Sequence, residues 1–134
     1  MLHAELTAKA LEACFEVAKE LGAGYLESVY EKALLIALQQ KGLHAKAQFP
    51  LSVRFRGHVV REFYADILLE DRVIIELKTV RALAPEHQAQ LINYLNATQI
   101  EVGLLVNFGN PKLEYKRLHR SKQAEGIKLD HFLS

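Results

Sequence analysis

The spacing of apolar residues changes along this chain, and the change limits the folds open to it. Up to Gly42 the apolar residues recur every three or four positions, as on a helix that buries one face. From Ala47 to Thr79 they alternate with polar residues, as in strands with one buried side. Helical spacing returns at 86–97, and the run 103–106 (GLLV) is typical of a buried strand. The chain is therefore predicted to adopt an α/β fold.

Capping residues, turns and proline set the limits of the predicted elements. Thr7 is expected to be the N-cap of the first helix, and Gly22 is expected to end it. Pro50 places the first strand at a sheet edge, because proline cannot donate a ladder hydrogen bond. The predicted helices are 6–21, 26–40 and 86–97. The predicted strands are 48–56, 59–69, 73–79 and 101–108. The first three strands form a meander, and the helix that follows them crosses to a parallel fourth strand. The segment 113–122 fits either a further strand or a basic helix.

Length and composition place the chain among ordinary globular proteins. Its 134 residues, 50% hydrophobic and 25% charged, predict a single domain over 1–134. The net charge of +1 favours neither nucleic acid nor a membrane as partner. The lone Cys14 lies on an apolar helical stripe and cannot form an internal disulfide. The N-terminus lacks signal-peptide features, and no apolar run approaches the ~20 residues of a membrane span, so a cytoplasmic protein is expected.

One predicted hairpin contains the residues that suggest chemistry. When its turn is centred at Asp71, Asp66 falls opposite Glu76, and Lys78 projects from the same face as both. The residues of the other face are all apolar: Ile67, Leu69, Val73, Ile75 and Leu77. Directly opposed carboxylates repel each other and destabilise a hairpin unless a cation lies between them.

A divalent cation would resolve that repulsion. Carboxylate oxygens suit Mg²⁺ or Mn²⁺, which bind through a few carboxylates together with waters and substrate phosphate. Such an ion polarises a phosphate and lowers the pKa of a bound water, and a lysine beside it stabilises developing charge. The pattern indicates phosphodiester hydrolysis. The residues alone leave a second interpretation open, in which Asp66 and Lys78 form a surface ion pair on a solvated hairpin.

Several motifs in the chain resemble a known family. Asp66 and the triplet Glu76-Leu-Lys78, after a helix that contains Glu27, resemble the PD-(D/E)XK nuclease superfamily. The segment Gly24-Tyr-Leu-Glu27-Ser-Val-Tyr30 resembles the signature of the small prokaryotic GxxExxY family within it. The resemblance covers about residues 5–120 and includes three further segments: Tyr30-Glu-Lys-Ala-Leu34, Gln90-Leu-Ile-Asn-Tyr94 and Gly103-Leu-Leu-Val-Asn-Phe-Gly109.

The resemblance implies a fold and a metal site. The fold is a restriction-endonuclease-like mixed sheet, made of the three-stranded meander and the crossover strand, flanked by helices. The implied ligands of Mg²⁺ or Mn²⁺ are Glu27, Asp66 and Glu76, with Glu27 often acting through a water. Ala65 stands where many members of the superfamily have proline, a position that varies.

The resemblance also implies catalytic and supporting residues. Glu76 would place the attacking water, and Lys78 would activate it and stabilise charge. Gln90 and Tyr94 match a Q-x-x-x-Y element that would position Lys78 or a substrate phosphate, and their spacing puts both on one helical face. Tyr30 is expected to support Glu27 by packing rather than to contact substrate.

Local clusters of basic residues fit a nucleic-acid partner, expected to be DNA rather than RNA. Arginines flank the predicted turn between the first two strands, and 112–122 contains five lysines and arginines against one acid. Such clusters are candidates for contacts to a phosphate backbone. The candidate residues are Arg54, Arg56, Arg61, Lys116, Arg117 and Arg120. A homodimer is expected, because cutting two strands requires two sites.

Two alternatives to the metal-dependent nuclease stay open. One is a catalytically silent module on the same fold that binds nucleic acid or a protein, and the other is a structural oligomer with an incidental acid cluster. Glu27 would then only complement a helix dipole, and Tyr94 would be a half-buried core aromatic. The presence of every matched acid and of the lysine favours the enzyme.

Overall fold

The computed structural model, which describes residues 1–120, contains three helices and five strands in the order ααβββαββ. The helices are α1 (Ala4–Leu21), α2 (Glu27–Gln40) and α3 (Pro85–Thr98). The strands are β1 (Ala45–Phe55), β2 (His58–Leu69), β3 (Val73–Lys78), β4 (Val102–Asn107) and β5 (Glu114–His119). Every predicted helix and strand is present. The undecided segment 113–122 forms a strand as far as His119, and its last two residues lie outside the described part of the chain.

The first helix begins earlier than predicted. Thr7 is buried inside its first turn, and the hydroxyl group donates 3.1 Å hydrogen bonds to the carbonyl oxygens of His3 and Ala4. The prediction of Thr7 as N-cap is therefore wrong, because a helical threonine can turn its hydroxyl back to carbonyls three and four residues earlier. Gly22 follows the last helical residue with a φ of 71°, in agreement with its predicted role.

The strands form one mixed sheet in the order β1-β2-β3-β4-β5. β1, β2 and β3 make an antiparallel meander, α3 crosses to β4, and β4 pairs parallel with β3. β5 then pairs antiparallel with β4. The predicted meander and parallel crossover strand are confirmed. Pro50 lies in β1, the edge strand, where one side needs no ladder bonds.

Apolar side chains cover both faces of the sheet. The predicted apolar face of the hairpin consists of Ile67, Leu69, Val73, Ile75 and Leu77. These residues pack in one cluster with buried residues of α1 and α2. Cys14 is fully buried in the same cluster, and burial raises the pKa of its thiol to about 12, so it is a packed thiol as predicted. On the other face α3 packs against Leu68, Ile74 and Leu105. None of the helices in residues 1–120 has the length and apolarity needed to cross a bilayer.

β2 changes its buried face at Asp66. Ala65 packs on the α3 side of the sheet, whereas Ile67 packs on the α1–α2 side, although residues two apart normally share a face. Across from this point Gln48 of β1 has a φ of 52°, and the β1–β2 pairing skips Gln48 and Asp66. The β2–β3 ladder also ends before Asp66, at the pair Ile67 and Ile75. The strands therefore separate at Asp66, which frees backbone groups for its side chain and that of Glu76.

Two glycines of the predicted GLLVNFG segment permit close packing around β3 and β4. A Cβ on Gly103 would lie 3.0 Å from side-chain carbons of Leu91, so α3 packs directly on the β4 backbone. A Cβ on Gly109 would overlap the backbone of Val80. Glycine at 109 therefore lets the chain after β4 lie against the chain that follows Lys78.

Candidate active site

Two backbone N–H groups hold the carboxyl groups of Asp66 and Glu76 between β2 and β3. The backbone N–H of Asp66 donates to Glu76 Oε1 at 2.9 Å, and the N–H of Leu77 donates to Asp66 Oδ2 at 2.8 Å. These bonds take the place of ladder bonds where β2 and β3 separate. The second oxygens, Asp66 Oδ1 and Glu76 Oε2, accept no backbone hydrogen bond from residues 1–120. The two carboxyl groups, called the acid pair below, are thus fixed by the main chain, and the second oxygen of each has no backbone partner.

Burial and mutual repulsion make the charged form of the acid pair costly. Burial, followed by the neighbouring charge of Asp66, raises the pKa of Glu76 to about 8. Burial also raises the pKa of Asp66, and the Leu77 N–H and the Lys78 ammonium only partly oppose it. Without added positive charge the pair therefore holds fewer than two negative charges near neutral pH.

Lys78 lies among three acids. It is half-buried at the end of β3, and by strand alternation it shares its face with Glu76 and Ile74. Its positive charge lowers the pKa of Glu27, Asp66 and Glu76, although it forms no direct ion pair with any of residues 1–120. The ammonium is therefore close enough to act on this site and is not neutralised by one partner.

Glu27 faces the acid pair from a different element. It is the first residue of α2, where burial raises its pKa, Lys78 opposes that rise and the Asp66 charge adds to it. However, no group of three His, Cys, Asp or Glu side chains within residues 1–120 is placed to hold one metal ion. Glu27 is near enough for its charge to act on the acid pair, and its predicted contribution to a metal site, direct or through a water, stays a prediction.

Tyr30 fixes the turn that precedes Glu27. Its hydroxyl donates to the carbonyl oxygen of Gly22 at 2.6 Å and accepts from the N–H of Tyr25 at 3.2 Å. Its fully buried ring stacks on Phe108 with 4.8 Å between centroids. These contacts attach the start of α2 to the core, which is the arrangement that a supporting role for Tyr30 requires.

Gln90 and Tyr94 lie together on the face of α3 that points to the sheet. Gln90 Nε2 donates to Tyr94 Oη at 3.1 Å, and the Tyr94 ring contacts Phe63 with 5.5 Å between centroids. Burial raises the pKa of Tyr94, and the charges of Glu76 and Asp66 raise it further. The tertiary structure thus brings the Q-x-x-x-Y element beside the acid pair.

Two polar residues near the acid pair are absent from the predicted site. Gln48 Nε2 donates to Glu31 Oε1 at 2.9 Å and lies 3.5 Å from Asp66 Oδ1. Glu31 is four residues after Glu27, so helical spacing would have placed both on one face. Gln48 was harder to find, because the β1–β2 register shifts at Val53 and Arg54. Counting from the turn without that shift pairs Gln48 with Ala65 rather than Asp66.

The predicted basic residues separate into two places. Arg54 and Arg61 line a groove between α3 and the β1–β2 hairpin, whereas Arg56 at the hairpin tip lies over the Phe55 ring. The other three are in or just after β5, and β4 separates this strand from β3. Lys116 is exposed, whereas Arg117 and Arg120 are half-buried.

The β5 residues do not form the predicted basic strip beside the acids. Arg117 donates to the carbonyl oxygen of Leu2 and contacts the ring of His119 at 2.8 Å. Arg120 forms a 2.8 Å ion pair with Glu101. Partners on neighbouring elements therefore hold these two arginines, and their predicted contact with a phosphate backbone stays a prediction.

A comparison of the sequence with protein-family models identifies the family of this chain. A family model described as the PD-(D/E)XK nuclease superfamily matches residues 4–118. The chain belongs to this superfamily. The assignment of its motif to Asp66, Glu76 and Lys78 and the narrower GxxExxY assignment both stay predictions. No curated protein matches the sequence.

Solved structures share the fold of this superfamily member. The crystal structure of SSO0001 has a TM-score of 0.58 at 20% identity, over 96% of this chain and 65% of that one. An alkaline exonuclease from Laribacter hongkongensis, LHK-Exo, has a TM-score of 0.56 at 12% identity, over 95% and 75%. Its complex with dAMP has a TM-score of 0.52 at 12% identity, over 86% and 80%. The structural similarity to these proteins establishes the predicted fold class. The chain spans just under two thirds of the length of SSO0001.

Proposed function

We propose that this protein is a Mg²⁺- or Mn²⁺-dependent nuclease that hydrolyses phosphodiester bonds, with DNA as the preferred nucleic acid. The observation that carries the proposal is a pair of backbone hydrogen bonds, from the Asp66 N–H to Glu76 and from the Leu77 N–H to Asp66, with Lys78 two residues after Glu76 in β3. This arrangement fixes two carboxyl groups and an ammonium on one rigid platform. Membership of a nuclease superfamily supports the proposal.

The acid pair fits a divalent metal. Superfamily members generally use Mg²⁺ or Mn²⁺, and such ions often bind through one or two carboxylates completed by waters and phosphate. Asp66 and Glu76 each have an oxygen without a backbone partner, and their raised pKa values reflect negative charge that a cation would stabilise. Glu27 would contribute through water. When bound, the ion supplies a polarised phosphate and a more acidic water.

The remaining site residues act on the water and the phosphate. Glu76 orients the water. The Lys78 ammonium only donates hydrogen bonds, so it stabilises the charge that develops on phosphate oxygens. Tyr94 and Gln90 hold each other in place beside the acids and position Lys78 or a substrate phosphate. Tyr30 keeps Glu27 in place through the turn before α2.

The proposed contacts to nucleic acid come mainly from the β1–β2 hairpin. Arg54, Arg56 and Arg61 are exposed and provide positive charge near the site. Lys116 is exposed on β5 and is a more distant candidate, while Arg117 and Arg120 would first have to leave their present partners. The complex of LHK-Exo with dAMP supports nucleotide binding on this fold.

Cleavage assays on matched variants test the proposal. Asp66→Asn and Glu76→Gln keep the size of each side chain, and Lys78→Met removes only the ammonium and its charge. We expect each variant to lose at least about a hundredfold in metal-dependent cleavage of DNA. Glu62→Gln is the control, because Glu62 is an exposed acid on the same strand as Asp66.

Two results would contradict the nuclease assignment. One is cleavage that survives in purified Asp66→Asn, and the other is a wild-type protein that binds nucleic acid without cutting it in either metal. The second result would establish the catalytically silent module instead. The homodimer stays a prediction, and light scattering after size-exclusion chromatography measures it directly.

A further inference from the structure

A groove of about 1090 Å³ runs between α3 and the β1–β2 hairpin. It does not include Asp66, Glu76 or Lys78, so it is a feature separate from the acid pair. The lining residues that matter for recognition are Arg54, Arg61, Phe63, Gln90, Asn93 and Tyr94. The groove therefore combines positive charge, side-chain amides and aromatic rings.

The charge in the groove suits an anion. Its lining contains two arginines and one acid, Glu86. Arg61 lies over the Phe63 ring at 4.9 Å, and Arg54 makes a single long bond of 3.4 Å to the carbonyl oxygen of Gly57. Neither arginine forms an ion pair with a carboxylate of residues 1–120. Both charges are thus available to a ligand.

Tyr94 connects the groove to the acid pair. It lines the groove and accepts the hydrogen bond of Gln90. Tyr94 also packs in one buried cluster with Ala65, the residue before Asp66 in β2, and its ring contacts Phe63. The end of the groove at Tyr94 is therefore next to the strand segment that contains Asp66.

We propose that this groove holds a single strand of nucleic acid and leads it to Asp66 and Glu76, an inference that rests on the proposed nuclease function. A basic groove with rings on which bases stack is the arrangement by which proteins bind single strands. Double-stranded DNA is instead read by elements that project into its grooves. Here the charged and aromatic groups lie inside a cleft between a helix and a hairpin, which favours one strand over two.

Binding measured without metal tests the groove separately from catalysis. The probes are fluorescein-labelled oligodeoxythymidine of about 12 nucleotides, oligouridine of equal length, and a blunt duplex of equal length, all in EDTA. Fluorescence anisotropy at several salt concentrations gives the Kd and its salt dependence. We expect the wild type to bind a single strand more tightly than the duplex, and the two oligonucleotides, which differ in the sugar and in the thymine methyl group, show which single strand it prefers.

Charge removal gives the first comparison. Arg54→Ala with Arg61→Ala is expected to weaken binding of the preferred single strand and to reduce the slope of log K against log salt by about 1.4, or 0.7 for each lost phosphate contact. Arg72→Ala is the control, because Arg72 is an exposed arginine in the β2–β3 turn. An unchanged Kd and slope in the double variant would overturn the proposal.

Filling the groove gives a second comparison that leaves its charge intact. Ala89 lines the groove on α3 and is exposed, so Ala89→Trp is expected to fold and to weaken binding of the single strand. Ala8→Trp, on the exposed face of α1, is expected to bind like the wild type. Tighter binding of the duplex than of either single strand would also overturn the proposal.

The outcomes separate the groove from the catalytic assignment. If the groove variants bind normally while wild-type protein cleaves and Asp66→Asn does not, the nuclease assignment stands and the groove proposal fails. If the groove variants lose binding while no protein cleaves, the strand groove stands and the nuclease assignment fails.

Discussion

The side chain of Asn107 bonds to both backbone groups of Val80. Oδ1 accepts from the Val80 N–H at 3.0 Å, and Nδ2 donates to the Val80 carbonyl oxygen at 2.8 Å. Oδ1 also accepts from the N–H of Gly109 at 2.9 Å, and Nδ2 donates to Glu114 Oε1 at 3.1 Å. The amide is fully buried, with every donor and acceptor position used. It ties the chain that follows Lys78 to the ends of β4 and β5.

Asn107→Ala is expected to destabilise the protein by about 2 to 3 kcal/mol, since it leaves buried backbone groups of Val80 and Gly109 without partners. Urea denaturation measures the change in the free energy of unfolding. Asn110→Ala, which removes an exposed side-chain bond to the carbonyl of Arg81, is the matched control and should change that free energy little. Equal stability of the two variants would refute the structural role of Asn107.

The stability of the metal-free protein is expected to fall as pH rises toward 8. Glu76 has an ordinary pKa of 4.5 and a folded pKa of about 8, so between these values the folded state binds a proton that the unfolded state has released. The stabilisation is complete below pH 4.5 and is lost as pH rises to about 8, with a limiting slope of about 1.4 kcal/mol per pH unit. Chemical denaturation in EDTA across this range measures the slope.

Glu76→Gln is the variant that checks the source of that slope, because glutamine has no proton to lose. We expect a flatter profile for Glu76→Gln, while Glu62→Gln, which changes an exposed acid, keeps the wild-type profile. A slope that is the same in all three proteins would show that Glu76 does not titrate as the buried site requires.

Mn²⁺ is expected to raise the melting temperature of the wild type through the acid pair. A ligand that binds only the folded state stabilises it by about 2.7 kcal/mol at a concentration one hundred times its Kd. The double variant Asp66→Asn with Glu76→Gln should show neither the thermal shift nor Mn²⁺ binding by calorimetry, and EDTA should reverse the shift in the wild type. Equal binding by both proteins would place the metal elsewhere.

Tyr30→Phe is expected to cost about 0.5 to 1.5 kcal/mol, because it removes the hydroxyl that binds the carbonyl oxygen of Gly22 and the N–H of Tyr25. If the turn positions Glu27, cleavage at saturating Mn²⁺ should also fall under conditions where the variant is folded. Tyr115→Phe is the control, since Tyr115 is 44% exposed. Lost stability with unchanged cleavage would restrict Tyr30 to a purely structural role.

The contacts that were hardest to predict from the sequence depend on the register or the order of the strands. Gln48 meets Asp66 only because the β1–β2 register shifts near Val53, and a periodic pattern contains no sign of that shift. Arg120 pairs with Glu101, a contact that the sequence did not predict, because β5 adds to the far side of β4. Such contacts depend on which strands become neighbours.

The sequence by itself determined the helices, the meander, the crossover and the register that sets Asp66 opposite Glu76. These features follow from short-range rules, because apolar period and turn position are properties of neighbouring residues. Only the tertiary structure decided that the strands separate at Asp66, that Glu27 of α2 faces the acid pair, and that a groove lies beside Tyr94. These features depend on how α2, α3 and the hairpin pack on the sheet. Packing brings together residues that are far apart in the sequence, and no local pattern indicates which of them become neighbours.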